Sequence, residues 1–237
     1  MCNELIMIEI KGWHKFSMID YPGRSCSVIF LPGCNFRCPF CQNPDLLKNP
    51  EGLPTLDTNE IIRYIQTEKM WIDAVCITGG EPTIHKDLPE FLKRFKDAGI
   101  LVKLDTNGSN PEMIKNLLES GLVDYIAMDI KAPLNRYREA VGVDVDIGKI
   151  MRSVELIRNS GIDYEFRTTV LPRLHKKDDI VQIGKELRGS RRYVIQQFRP
   201  GKTLDERYAN EKTYSERELQ ELADAVRGFF DEVEIRR

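Results

Sequence analysis

The sequence has no apolar run approaching the roughly 18 residues that a membrane-spanning helix needs, which argues against a spanning segment. It has no low-complexity stretch and no Pro/Gly/Ser linker, so composition offers no place to divide it. Charge of neither sign is in excess. The 35 Lys and Arg stand against 37 Asp and Glu, a net charge of −2. A chain so balanced has no footprint for nonspecific nucleic-acid binding, although a local patch can still touch RNA. The start, Met1-Cys2-Asn3-Glu4, sets no basic stretch before an apolar one, so the expectation is a cytoplasmic protein. What is present is an ordinary globular mixture, 41% hydrophobic and 30% charged. Its 237 residues suit a single α/β domain.

A strand followed by a helix recurs along the chain. Short apolar runs at 26–31, 74–78, 101–105, 123–128, 164–170 and 193–198 read as strands by length and flanks. Between them lie helical patterns. Asp57 and Glu60 have the spacing of a capping box, with Ile61 and Ile65 on one face behind them. Others run from about Leu88 to Gly99, from Pro111 to Gly121, over 147–157, and over 179–187. Ser215 and Glu218 cap a last helix bearing Leu219, Leu222 and Val226. Three helices stop at Gly99, Gly121 and Gly161 and enter a strand at once. Such alternation implies parallel strands with right-handed crossovers, in an open partial barrel or a doubly wound sheet. In both, a site belongs at the carboxyl ends of the strands.

Those ends carry unusual chemistry. The first runs into Gly33-Cys34 and the second into Gly79-Gly80-Glu81-Pro82. The third ends in Asp105-Thr106-Asn107-Gly108 and the fourth in Met128-Asp129-Ile130-Lys131. Four such ends describe one pocket.

Of the 6 cysteines, Cys34, Cys38 and Cys41 fall within eight positions. Thiolates are soft ligands for zinc or an iron–sulfur cluster. A structural zinc wants four ligands, usually as two spaced pairs, and no second pair exists here. Three thiolates on a cubane leave one iron open, and an open metal position is the mark of a catalytic site. Cys2 is the alternative fourth ligand. Cys26 and Cys76 read as buried structural thiols. His14, His85 and His175 show no ligand spacing and read as surface or packing residues.

The sequence Cys34-x3-Cys38-Pro39-Phe40-Cys41, followed by Gly79-Gly80-Glu81-Pro82, resembles the radical S-adenosylmethionine (SAM) superfamily. The stretch 13–45, with Asp20-Tyr21-Pro22-Gly23, is similar to activating proteins of anaerobic ribonucleoside-triphosphate reductase. Asp105-Thr106-Asn107-Gly108 and Asp129-Ile130-Lys131 resemble the wider group of glycyl radical enzyme activases. The likeness in motifs runs from about residue 12 to 131.

The resemblance implies a partial (β/α)6 TIM-like barrel with a core at about 24–200. Extensions at 1–23 and 201–237 would complete a single domain, the latter a helix and a strand. It implies a [4Fe-4S] cluster on Cys34, Cys38 and Cys41, with SAM on the fourth iron. The Phe40 backbone would meet the adenine, Gly79 and Gly80 the methionine part, and Glu81 or its loop carbonyls the amino group. Asp105, Thr106, Met128 and Asp129 match a monovalent cation site, with Asn107 beside them. Lys131 and Arg167 are candidates for the cofactor carboxylate or ribose, although Arg167 could equally pair with Glu165.

The implied chemistry is reductive cleavage of SAM to a 5′-deoxyadenosyl radical. An external one-electron donor such as flavodoxin or ferredoxin would drive it. A glycyl radical on a partner enzyme, preferably that reductase, would result. The competing readings are a radical SAM enzyme acting on RNA, a peptide or a small molecule, and a noncatalytic iron–sulfur or zinc module. The basic runs 173–177 and 188–192 are what RNA could use.

Overall fold

The computed structural model describes residues 8–237 and divides them into two compact units. Cys2 lies outside the described residues. The first unit comprises residues up to 35, 45–106 and 112–126; the second comprises 36–44, 107–111 and 127–237.

In the first unit, β1 (Gly12–Tyr21) pairs antiparallel with β2 (Arg24–Leu31) across a turn at Pro22-Gly23. A short α1 (Asp45–Lys48) precedes α2 (Thr58–Thr67), whose Asp57 cap accepts the Asn59 amide at 2.8 Å. Next come β3 (Ala74–Gly79), α3 (Leu88–Asp97), β4 (Leu101–Thr106) and α4 (Pro111–Glu119). β2, β3 and β4 pair in parallel, Cys26 beside Ala74 and Ala74 beside Leu101. The helices bury one stripe each, Ile61 and Ile65 on α2, Phe91, Leu92 and Phe95 on α3.

The unit boundary falls within β5 (Tyr125–Asp129). The second unit continues through α5 (Tyr137–Val141), α6 (Ile147–Arg158), β6 (Asp163–Val170) and α7 (Lys177–Glu186). It closes with β7 (Ser190–Gln197), α8 (Glu216–Val226) and β8 (Phe230–Arg236). β6, β7 and β8 are parallel. Ser215 and Glu218 make the expected reciprocal cap on α8.

The eight strands stand in sheet order β1 to β8, the order of the chain. A doubly wound sheet needs a point where the order reverses, and none occurs. The element order is that of a partial (β/α) barrel. The strand readings from sequence hold to within a few residues, and Gly99, Gly121 and Gly161 all take the left-handed conformation at helix ends. β1 was not legible. Its Phe16, Met18 and Ile19 are exposed and its pairing shifts register twice, so the two-residue apolar period is absent.

Candidate cluster and cofactor site

In the first unit the ends of β2 and β3 meet as bare backbone. The Gly80 amide donates to Leu31 O at 2.9 Å, and the Glu81 amide to Gly33 O at 2.8 Å. A Cβ at Gly80 would collide with the Gly33 carbonyl oxygen, and one at Gly79 would come 2.6 Å from the Leu31 backbone. Glycine is required here for close approach.

Glu81, 1% exposed, is engaged inside the protein. Its Oε1 accepts from the Thr83 amide at 3.1 Å and hydroxyl at 2.5 Å, and from the Thr106 hydroxyl at 2.7 Å. The carboxylate thus caps the short turn at 82–84 and ties it to the end of β4.

Beneath lies a buried group that the sequence reading missed. Lys103 is 1% exposed on β4; its ammonium pairs with Asp105 and lies 3.7 Å from the Cys76 sulfur. Cys26 and Cys76 are buried, as expected. Burial, then the Asp105 charge, push the Cys76 thiol well above its ordinary range. Burial and Asp20 push the Cys26 thiol up to about 12. Both are structural thiols.

In the second unit Asp129 takes Arg167 on one oxygen at 2.5 Å and Lys131 on the other at 2.9 Å. Burial disfavours its charge, but the two cations outweigh burial and hold its pKa well below the usual carboxylate range. Lys131 is held above its ordinary value. Burial opposes this, while Asp129 and, to a lesser degree, the nearby Cys38 sulfur enforce it. The Glu165 carboxylate accepts from Arg236 at 2.8 and 3.0 Å.

Two residues without a legible role fix this triad. The Tyr137 hydroxyl accepts the Lys131 amide at 3.3 Å and donates to Asp129 O at 3.4 Å. His175 is fully buried, with Nδ1 accepting the Leu171 amide at 3.2 Å. Its Nε2 therefore carries the proton and donates to Lys131 O at 2.8 Å. Burial lowers its pKa. His85, half-buried, bonds Pro32 O at 2.9 Å in the first unit.

The segment 32–44 contains neither helix nor strand. Cys34 belongs to the first unit, Cys38 and Cys41 to the second. Among the described residues no three His, Cys, Asp or Glu side chains are gathered as a ready metal site. Cys38 and Cys41 share a turn, the Cys41 amide donating to Cys38 O at 3.0 Å. Phe40 is buried. Within the second unit, Cys38 and Cys41 on one turn with Lys131 near Cys38 are donors that fit a soft, anionic iron–sulfur group. Asn107 turns the chain after β4, its Oδ1 accepting the Ser109 amide at 2.9 Å. Met128 packs on Gly108 where a Cβ would clash. Asp105 and Asp129 already have cationic partners from the chain itself, so the geometry gives a monovalent cation no support.

Several arginines of the basic runs have partners at the surface. Arg173 pairs with Glu211 at 2.5 Å, Arg191 with Asp163 at 3.3 Å, and Arg192 with Glu234. Arg188 stacks over Phe229.

Residues 28–187 match the Radical SAM superfamily. A Methanocaldococcus jannaschii protein, provisionally named a glycyl-radical enzyme activating enzyme, is 36% identical over 233 residues, covering 96% of this chain and 95% of that one. The pyruvate formate-lyase-activating enzyme of Clostridium pasteurianum is 26% identical over 210 residues, 84% of each chain. Among solved structures, Streptococcus suis SuiB bound to precursor peptide SuiA superposes with a TM-score of 0.68 at 16% identity, over 89% of this chain. This chain covers 48% of SuiB, about half its length. A domain of a Bacteroides vulgatus pyruvate-formate lyase-activating enzyme superposes with a TM-score of 0.53 at 17% identity, over 68% of this chain and 98% of that one. At such identities the structural likenesses speak for the fold alone.

Proposed function

This chain belongs to the radical SAM superfamily, and we propose that it activates a glycyl radical enzyme, with anaerobic ribonucleoside-triphosphate reductase as the partner. Membership of the superfamily implies SAM and a [4Fe-4S] cluster. Cys34, Cys38 and Cys41 would hold the cluster. When bound, the pair supplies one-electron cleavage of the sulfonium and a 5′-deoxyadenosyl radical for hydrogen abstraction.

The chain's own work is orientation and exclusion of water. Gly79 and Gly80 offer backbone without side chains. Glu81 shapes that turn from behind through Thr83 and Thr106. Lys131 and Arg167, both held on the Asp129 carboxylate, are the cations proposed to meet the carboxylate or ribose of SAM. Asp105, Thr106 and Asn107, at and just after the end of β4, are proposed as further cofactor-site residues, and the Phe40 backbone is proposed to meet the adenine. No side chain here is assigned as a general acid or base.

The observation that carries the reading is the Cys34, Cys38, Cys41 spacing in a chain alike over nearly its whole length to a relative named for glycyl-radical activation. The similarity of 13–45 to reductase activases supports the choice of partner. The electron would come from an external donor such as flavodoxin or ferredoxin, in a reducing cytoplasm. No described helix is long and apolar enough to cross a membrane.

Anaerobically reconstituted protein with dithionite and SAM is expected to yield 5′-deoxyadenosine and methionine. Added reductase should then show a glycyl doublet by electron paramagnetic resonance. Cleavage without a doublet on that reductase would remove the partner and keep the chemistry. Zinc at one equivalent with no cleavage would remove both.

A further inference from the structure

The segment carrying the cysteines has no hydrogen-bond ladder of its own, so something else must hold it. In the second unit that task falls to residues 199–209. The Leu204 amide donates to Cys41 O at 3.0 Å and the Asp205 amide to Pro39 O at 2.9 Å. In return, Gln42 Nε2 donates to Arg199 O at 2.8 Å. Three bonds therefore join Pro39, Cys41 and Gln42 of one loop to a stretch more than a hundred and fifty positions away.

The holding segment is closed on itself. The Gly201 amide donates to Ala209 O at 2.8 Å, which brings its ends together. The Thr203 hydroxyl donates to Asp205 O at 2.8 Å. The Asp205 carboxylate accepts the Arg207 amide at 3.0 Å and pairs with its guanidinium at 2.6 Å. Tyr208 is nearly buried beneath the Arg173 guanidinium, 5.1 Å away. A compact loop with close ends and internal bonds moves as a unit. The preceding residues are fixed separately: the Arg37 amide donates to Val141 O at 2.8 Å, and a Cβ at Gly142 would come 2.5 Å from Arg37 O.

We propose that residues 199–209 are a clamp that presets the 38–41 half of the cluster loop, with Gln42, Leu204 and Asp205 as positioning residues. Thiolates repel one another, and a free loop would scatter them. Amides drawn onto the Pro39 and Cys41 carbonyls keep the turn between Cys38 and Cys41 formed before any metal arrives. They also restrict the ways in which the loaded loop can settle. The inference rests on the cluster reading above.

The test uses the full chain with two substitutions, Gln42→Ala and Gln42→Glu. Both remove the donor; the second keeps the side chain's size. In the iron-free protein, amide exchange across 203–206 should be slow in the wild type and faster in both variants, with the melting temperature unchanged. In the reconstituted protein both variants should lose iron to a chelator roughly fivefold faster, the scale of one net hydrogen bond. Their reduced clusters should give a heterogeneous electron paramagnetic resonance signal where the wild type gives one species. The clamp is overturned if 203–206 exchanges as an open loop in the iron-free wild type, or if both variants keep wild-type iron loss and signal. A Gln42→Glu protein that behaves as wild type beside an altered Gln42→Ala would reduce the residue to packing. A wild type that takes up no cluster would sink the cluster reading, and the exchange experiment would still decide the clamp.

Discussion

Lys103 is the residue with most at stake. A lysine 1% exposed is tolerated because Asp105 neutralises it beside the Cys76 sulfur and the Tyr125 ring. Lys103→Met leaves that carboxylate without its buried partner. It should cost about 3–5 kcal/mol in urea unfolding of the iron-free protein. Adding Asp105→Asn to it should restore much of the loss, because the pair costs more broken than absent. Asp129 gives a pH signature. Its folded pKa lies below the unfolded value near 4, so its contribution is present above about pH 4 and lost as pH falls further. Urea midpoints taken from pH 7 to pH 3 should show that acid limb, and Asp129→Asn should flatten it.

Elements matter here chiefly at their ends. β2 and β3 are ordinary buried strands, but just past their ends the chain touches through backbone at Gly33 and Gly80. Gly80→Ala forces a methyl against the Gly33 carbonyl and must spread the two ends. The expected loss is about 1–3 kcal/mol by thermal unfolding, with a larger fractional loss of SAM affinity by equilibrium dialysis. Unchanged SAM binding in a destabilised protein would separate the turn from the cofactor. β6 serves differently: Thr168 on one side accepts the Tyr193 hydroxyl of β7, while Arg167 on the other side reaches Asp129. A single strand thus supports the core and presents a charge to the site, through the two-residue alternation of side chains.

At the scale of the whole molecule, the cysteines divide by environment. Cys34→Ser, Cys38→Ser and Cys41→Ser should each abolish iron uptake and SAM cleavage. Cys26→Ser and Cys76→Ser should keep both, at some cost in stability, because those thiols sit in the core of the first unit with their pKa values raised by burial. Iron analysis of the five variants after identical reconstitution checks this. Equal iron in all five would remove the cluster from that loop. The wild type's net charge of −2 further predicts no salt-dependent retention on RNA.

The alternation of apolar runs with capped helices determined the α/β class, most strand positions and the glycine stops, since each is a local matter of period and permitted φ. The cysteine spacing and the Gly79-Gly80-Glu81 turn were legible for the same reason: they are short motifs whose chemistry lies in adjacent residues. What only the tertiary structure decided is who meets whom across the chain. Glu81 turned inward to Thr106, Lys103 became a buried counter-ion, and His175 locked the Lys131 backbone although its spacing looked idle. The sheet order, which excluded double winding, belongs with these. Burial and long-range hydrogen bonding set those roles, and neither leaves a period or a motif in the linear text of the chain.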